Sequence, residues 1–410
     1  MKVLQINAVY EKFSTGRLVK ELHETLQQNG VDSYVACPYL GNLHDNAFQI
    51  GDGLDWKIHA LLSRVSGKQG YFSRRATQKL LAYMDDIQPD IVHLHNLHNN
   101  YLNLPMLFRY LDEHKTAVAV TLHDCWCFTG KCTYYIEHSC QRWKDHCGEC
   151  PARKSGNKSW FFDFSESLRM DKAKWFSSIN SLAVIGVSKW VTEDAAQSIL
   201  KNASVIQCIY NWIDLEQFRP CNCKKLRKDL GLADKFVVLG IAMSWIPLKG
   251  IYIFHALADL LPEDCQIVLV GDDSLVAEKH PKIKYTGTIL DPDLLAKYYA
   301  MADVFVNPTV QETFGMTTAE AMACGTPVVA YNGTATPELV GSDGSCGFLI
   351  DENNSRLYCD KILQIKMKSK STFSKATRSR AERLFSKDKN IQMYFEIYER
   401  LLKNERSVRK

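Results

Sequence analysis

What this chain lacks narrows it first. No run approaches the ~18 consecutive apolar residues that span a bilayer, so a membrane-crossing helix is not expected. The opening Met1-Lys2-Val3-Leu4-Gln5-Ile6 has neither the longer apolar core nor the small-residue cleavage site of a secretion signal, and the expected location is the cytoplasm. No internal repeat or low-complexity segment stands out, which argues against a repeat array. An excess of one charge is missing too: 50 Lys and Arg against 46 Asp and Glu leave a net charge of +4, too little to argue for nucleic acid. Two basic clusters, Arg74-Arg75 and Lys366, Lys368 and Lys370, are candidates for peripheral contact with the inner face of a membrane, with a solvated surface as the plainer reading.

What is present is an ordinary globular composition, with 46% hydrophobic and 23% charged residues over 410 positions. At roughly 100–200 residues per domain, that length implies two domains. A chain of this size does not need disulfides for its stability, so the distribution of its 14 cysteines matters more than their number. Cys125, Cys127, Cys132, Cys140, Cys147 and Cys150 crowd into one segment, whereas Cys37, Cys265 and Cys324 stand alone, as small core residues do.

Short apolar runs alternate with helical patterns. Strands are expected near residues 3–8, 32–36, 91–95, 117–122 and 182–188, and again near 236–242, 266–271, 304–306 and 327–330. The first is followed by a polar turn at Ser14-Thr15-Gly16 and then by the amphipathic run Leu18, Val19, Leu22, Leu26. Strands alternating with helices imply an α/β fold of two doubly wound, Rossmann-like domains. The boundaries read as residues 1–214, carrying a Cys-rich insert at 125–151, then 215–387, and a final amphipathic helix at 388–410 packing back across the junction.

The chemistry concentrates in residues 307–330. Glu312 precedes Thr313-Phe314-Gly315 in a loop at the C-terminal end of a strand, where open α/β sheets bind ligands; a solvated loop carboxylate is the alternative. Thr317-Thr318-Ala319-Glu320 has capping-box spacing, with Thr317 as N-cap and Glu320 as its partner, and the N–H groups of that first turn suit a phosphate. Lys249-Gly250 follows a strand, so Lys249 can neutralise a diphosphate while Gly250 permits close approach; a surface lysine at a helix start is the plain reading. Asp291-Pro292-Asp293 has the look of a metal-binding acidic pair, but an Asp N-cap followed by Pro at the first helical position explains it better.

In the first half, His123 emerges from the end of a strand with Asp124 beside it, either to orient the imidazole or to bind a ligand. His93 and His95 end another strand, with His98 beyond. Hydroxyl contacts or loop hydrogen bonds are favoured there over a metal. Cys132, Cys140, Cys147 and Cys150 have the spacing C-x7-C-x6-C-x2-C. A structural zinc is the leading reading, with disulfides or free thiols as alternatives and Cys125 and Cys127 packing beneath. Trp126, Arg142, Trp143 and Lys144 are available for sugar stacking or phosphate contact, unless they merely pack the insert.

The carboxylate segment resembles that of the retaining family-4 glycosyltransferases, which have the two-domain GT-B architecture, and Asn211–Pro220 is similar to the interdomain segment of that family. The resemblance implies two domains facing across a cleft. The N-terminal one would bind acceptor, and the C-terminal one a nucleotide-sugar donor, UDP-sugars favoured. It implies transfer to a carbohydrate or lipid-linked acceptor in surface-polysaccharide synthesis, without a catalytic metal. Donor-sugar hydroxyls fall to Glu312, the ribose to Glu320, and the sugar and diphosphate to the backbone of Phe314, Gly315, Met316 and Thr317, with Thr313 beside them. Gly16 becomes a donor-side contact, His123 lies close to the reacting sugar, and His95, Asp124 and Trp126 are acceptor candidates. An arginine common in the family five residues before Lys249 is replaced by Ser244. The alternatives are a sugar-nucleotide epimerase of the same architecture and a non-catalytic, zinc-dependent interaction protein.

Overall fold

The runs Ala117–Leu122 and Leu182–Gly186 are buried at every position. A strand is buried that way inside a parallel sheet covered by helices on both faces, which is why these segments read as unbroken apolar runs. The computed structural model describes residues 1–40 and 46–408, with side chains to residue 403. It divides into two compact units, Met1–Ile209 with Lys389–Lys410, and Tyr210–Asp388.

The first unit runs β1 (Lys2–Ile6), α1 (Phe13–Gln28), β2 (Asp32–Cys37), β3 (Ala47–Gln49), α2 (Gly53–Ser66), α3 (Arg74–Ile87), β4 (Ile91–Leu94), α4 (Leu104–Glu113), β5 (Ala117–Leu122), α5 (Ser165–Ser177), β6 (Leu182–Gly186), α6 (Lys189–Ala196) and β7 (Val205–Cys208). Its strands pair in parallel in the order β3-β2-β1-β4-β5-β6-β7. The sheet grows outward from β1 through β2 and β3, then resumes on the other side of β1 with β4. Its strand order therefore reverses between β1 and β4. Leu18, Val19, Leu22 and Leu26 form the buried stripe of α1. That helix begins at Phe13, so Ser14, Thr15 and Gly16, expected as a turn, lie in its first turn.

The second unit runs α7 (Lys224–Asp229), β8 (Phe236–Ser244), α8 (Ile251–Leu260), β9 (Cys265–Asp272), β10 (Ile283–Tyr285), α9 (Pro292–Met301), β11 (Val304–Asn307), α10 (Met316–Ala323), β12 (Val328–Tyr331), α11 (Thr336–Val340), β13 (Gly347–Ile350), α12 (Ser355–Lys368) and α13 (Lys370–Leu384). Its parallel order is β10-β9-β8-β11-β12-β13, reversing between β8 and β11. A core around Phe254, Leu257, Leu269, Val306, Val329 and Ile362 joins sheet to helices. Asp291 caps α9 by accepting from the N–H of Asp293 at 3.0 Å, with Pro292 at the first helical position, as its sequence suggests.

The last helix, α14 (Lys387–Val408), buries Ile391, Tyr394, Ile397, Tyr398 and Leu401. Within the first unit Tyr398 Oη meets His93 Nδ1 at 2.7 Å, and Ser181 Oγ donates to the Leu401 carbonyl at 2.9 Å.

Gly271, near the end of β9, has φ +130°, and a Cβ built there would stand 1.8 Å from the Ala242 carbonyl oxygen in β8. Gly271→Ala is expected to cost roughly 3 kcal/mol or more, as overpacked or strained positions do. Urea unfolding measures this, and a variant unfolding at the wild-type midpoint would contradict it.

Candidate functional site

Ligands of open α/β sheets settle where the strand order reverses, at the C-terminal ends of the strands on either side. In the second unit those ends are Ser244 of β8 and Asn307 of β11. The chain leaving β8 makes a tight turn at Pro247–Lys249, and Gly250 closes it at φ +73°. A Cβ on Gly250 would lie 2.4 Å from Pro308 Cγ, so this glycine seats one loop on the other instead of opening space for a ligand.

The two loops meet chemically as well. Lys249 Nζ contacts Glu312 Oε1 at 2.9 Å across the reversal. Behind Glu312, its own N–H donates to Thr334 Oγ1 at 3.0 Å, and its carbonyl accepts from the Ala335 N–H at 3.2 Å. Thr334 holds φ +50°, a left-handed conformation costly for a β-branched residue. Asn307 completes the support: its amide donates to Thr318 Oγ1 at 3.1 Å and its Oδ1 accepts from the Thr309 N–H at 3.2 Å. Asn307, Thr318 and Thr334 were not singled out from sequence, and only the placement of Asn307 at a strand end before a proline hinted at one of them.

The expected capping box does not form. Helix α10 starts at Met316, capped by the backbone of Gly315 at φ +97° without a side-chain cap bond. Thr317 is thus inside the helix and not its N-cap. Glu320 is buried further along and accepts from Tyr299 Oη at 2.9 Å. The first-turn N–H groups of α10 are left without a side-chain cap, at the end of the helix where the dipole favours negative charge. In the loops that leave these strands three buried polar atoms have no hydrogen-bond partner: Thr313 Oγ1 ahead of α10, and Ser244 Oγ and Trp245 Nε1 at the end of β8. Phe314 turns its ring into the protein against Phe385, 5.4 Å between centroids, which leaves only its backbone to a ligand.

In the first unit the reversal brings together the ends of β1 and β4. Asn7 Oδ1 accepts from the Asn96 N–H at 3.2 Å, and Asn96 Nδ2 reaches Thr15 Oγ1 at 3.5 Å. Gly16 is buried below this loop, where a Cβ would press on the backbone of Tyr10 and Glu11 at 3.2 Å. The missing side chain lets α1 pack under the loop. Glu11 and Phe13 both adopt positive φ beside it.

Next to these ends lies a chain of imidazoles. His93 spends both nitrogens, on Tyr398 Oη and on Thr121 Oγ1 at 2.8 Å, so it has no atom for a metal. His95 Nδ1 meets His123 Nε2 at 3.1 Å, and the Nε2 of His95 is buried without a partner. Burial pushes His93 down to about 3 and His123 to about 4, and it holds His95 well below the usual range, with neighbouring imidazoles adding to it. Asp124 is turned to His98 Nε2 at 2.7 Å and to the Trp126 N–H at 2.8 Å. Burial alone would raise its carboxyl, but the His98 contacts and the Trp126 N–H hold it below the ordinary value. His123 is therefore positioned by His95, with Asp124 committed to His98.

Residues 15–217 match the sequence profile described as Glycosyltransferase Family 4, and residues 234–366 the profile described as Glycosyl transferases group 1. The chain belongs to glycosyltransferase family 4. Over 123 residues it is 37% identical to the MMP alpha-(1->4)-mannosyltransferase of Mycolicibacterium hassiacum, covering 28% of this chain and 30% of that one. Over 245 residues it is 24% identical to the N-acetyl-alpha-D-glucosaminyl L-malate synthase of Bacillus anthracis, covering 57% and 63%. These matches span less than two thirds of either relative. Among solved structures, the sucrose-phosphate synthase of Thermosynechococcus elongatus superposes with TM-score 0.70 at 17% identity over 98% of each chain. HepE of Anabaena, in complex with UDP and glucose, superposes with TM-score 0.68 at 18% identity over 97% of this chain and 98% of that one. Likeness at this identity shows the fold, and both units are the doubly wound domains of the GT-B architecture.

Between β5 and α5 this family-4 chain carries its cysteine insert. All fourteen cysteines are free thiols, and among the described residues no group of three or more His, Cys, Asp or Glu side chains is arranged to hold a metal ion. The zinc expected on Cys132, Cys140, Cys147 and Cys150 is thus not supported, although the four line one small cavity. A hydrogen bond from the Cys132 thiol brings Cys150 down to about 7 and pushes Cys132 up. Polar clamps to α5 hold the insert: Arg169 donates to the carbonyls of Trp143 and Lys144 at 3.0 and 3.1 Å, and the Gly148 N–H donates to Ser165 Oγ at 3.0 Å. The centre of the clamp is Lys172, which is buried and donates to the carbonyls of Trp126 and Thr129 at 2.6 and 2.9 Å. Its ammonium also lies 3.3 Å from the centroid of the Trp126 ring, and burial pushes its pKa down to about 7.

Trp126 itself is buried, its Nε1 donating to Gln69 Oε1 at 2.8 Å, and Trp143 packs against Phe128 and Tyr135. Neither ring is open to stack on a sugar, which corrects Trp126 as an acceptor contact. In sequence Lys172 is marked only as a charged residue within the buried stripe Ser165, Leu168, Lys172, Phe176.

The histidine chain makes the first unit sensitive to acid. A folded-state pKa near 4 against ~6.5 in the unfolded chain means the unfolded state binds more protons between those values. Stability is then full above about pH 6.5, falls as pH drops toward about 4, and loses at most about 1.4 kcal/mol per histidine per pH unit. Urea midpoints at successive pH values within that window measure the slope, which His93→Gln should make shallower. Equal midpoints across the window would contradict the neutral assignment.

Proposed function

We propose that this chain is a retaining glycosyltransferase that moves a sugar from a nucleotide-activated donor, a UDP-sugar first among them, to a hydroxyl of a carbohydrate or lipid-linked acceptor in surface-polysaccharide assembly. The Lys249–Glu312 pair at the reversal of the second sheet carries this reading. It sets a cation and a carboxylate side by side in a spot lined by an uncapped helix start and the unpartnered hydroxyl of Thr313, which suits a sugar joined to a diphosphate.

In this reading Glu312 accepts from hydroxyls of the donor sugar, and Glu320, oriented by Tyr299, accepts from the ribose. As the bond from the anomeric carbon to the diphosphate breaks, charge develops on the departing oxygen. Lys249 and the N–H groups of Gly315, Met316 and Thr317 face that charge, a load taken without a catalytic metal. Ser244 supplies no cation in place of the familial arginine, so the helix start carries more of it. The acceptor is assigned to the first unit, where neutral His123 and His95 offer hydrogen bonds to hydroxyls without a competing charge. HepE, holding UDP and glucose on the same fold, supports the choice of donor.

Thermal-shift titration with UDP-, GDP- and ADP-sugars should single out one base, stabilising by about 2.7 kcal/mol at a hundredfold excess over Kd. Glu312→Ala should lower transfer by roughly 10²–10³-fold while the nucleoside diphosphate still stabilises the fold, whereas Lys249→Met should weaken both. A Glu312→Ala chain transferring at the wild-type rate would overturn the assignment, and release of free epimer from donor alone would make it an epimerase.

A further inference from the structure

Helix α2 is turned inside out. It is well formed, with Asp52 capping its start through the N–H groups of Leu54 and Asp55 and Gly67 closing its end in the left-handed conformation. The side chains it buries are His59 and Ser63, with His59 Nδ1 bonded to Ser73 Oγ at 2.8 Å. Outward it presents Leu54, Ile58, Leu61, Leu62 and Val65, each between 38 and 67% exposed. Their spacing of three and four residues makes one continuous stripe along the helix. A free helix of a water-soluble unit ordinarily faces the other way.

The stripe does not end with the helix. The N–H of Trp160 donates to the carbonyl of Arg64 at 2.8 Å, and the Phe162 carbonyl lies against Gly67. This seats the loop Trp160-Phe161-Phe162 at the end of α2, with its three rings 47–66% exposed. Five aliphatic and three aromatic side chains thus form one apolar surface, far more than singly scattered exposed residues would give.

Its border is basic. Lys57, Arg64 and Lys68 flank the helix, Lys154 and Lys158 precede the aromatic loop, and Ser73, held by His59, brings Arg74 and Arg75 alongside; all are exposed. Against them stand the exposed carboxylates of Asp52 and Asp163, and both are occupied by backbone N–H groups. An apolar stripe with a Trp/Phe end and a lysine and arginine rim is what a helix lying in the headgroup region of an anionic bilayer requires. The basic stretch at Lys366, Lys368 and Lys370 does not share this character: Lys366 pairs with Asp264, and half-buried Lys370 donates to the carbonyls of Ala300 and Ala302.

We infer that α2 and the Trp160–Phe162 loop are a docking surface for the face of an anionic lipid bilayer, lying in its interface. No described helix is long and apolar enough to cross a membrane. The surface goes beyond the donor assignment and stands whichever sugar nucleotide the second unit takes.

The full chain is mixed with sedimentable vesicles of phosphatidylcholine, with and without phosphatidylglycerol. It should pellet with the anionic vesicles, and less so as salt rises. Ile58→Glu with Leu61→Glu, and separately Lys57→Glu with Arg64→Glu, should each weaken binding at least about tenfold. Unchanged urea midpoints would show that both variants fold. Brominated lipid should quench tryptophan emission in the wild type and less in Trp160→Phe. Pelleting with neither vesicle, or pelleting untouched by both variants, overturns the proposal, and equal pelleting with both vesicles overturns its anionic part. A dimer in light scattering that Leu61→Glu converts to monomer, with no vesicle binding, would give the stripe to a second copy of the chain.

Discussion

A parallel sheet that grows first to one side of its starting strand and then to the other must send its crossovers over opposite faces, and beside that strand a crevice stays open. Both units are built under this constraint, and the chemistry of each follows from it. At β8 and β11 the strands end within reach of one another, so the loops leaving them can share an ion pair. At β1, β4 and β5 the ends are close enough for asparagines and histidines to bond across them. The side chains that matter arrive there because strand ends leave them nowhere else to go.

The two crevices differ in how they treat charge. In the second unit a lysine and a glutamate stay partly open to water and satisfy each other, so the pair costs little to keep and is ready to exchange partners with an anionic ligand. In the first unit the imidazoles are taken out of water and kept neutral by burial, with His93 saturated by hydroxyls and His95 left one bond short. On the proposed reading, the charged crevice suits a phosphate and the neutral one a hydroxyl. Lys172 is the exception that shows the price of burying a cation, since two short bonds to carbonyls and a tryptophan face are gathered around it.

Much of this is legible in the sequence. Strands such as Ala117–Leu122 announce themselves because burial on both faces removes every polar residue, and the final helix shows its stripe for the same reason. The short edge strands β3, β7, β10 and β13 gave no such signal: three or four residues long and partly exposed, they need no apolar run. Capping-box spacing misplaces the start of α10 because it is a local pattern, while the real start depends on Gly315, whose positive φ comes from the loop before it. Sequence leaves Trp126 and Trp143 open between ligand and core because tryptophan serves surfaces and cores alike, and only the clamp from α5 decides between them. Lys249 and Glu312 were named separately; that they pair is set by strand order, which no spacing along the chain records.

Because position 250 has no side chain, Pro308 rests directly on the turn that ends in Lys249. The lysine and the glutamate therefore travel on loops that interlock, and neither can be exchanged alone. A loop transplanted from a relative with any larger residue at 250 would collide with Pro308 before its chemistry could be tried. Divergence at this edge of the sheet should accordingly proceed by paired change, with positions 250 and 308 varying together or not at all.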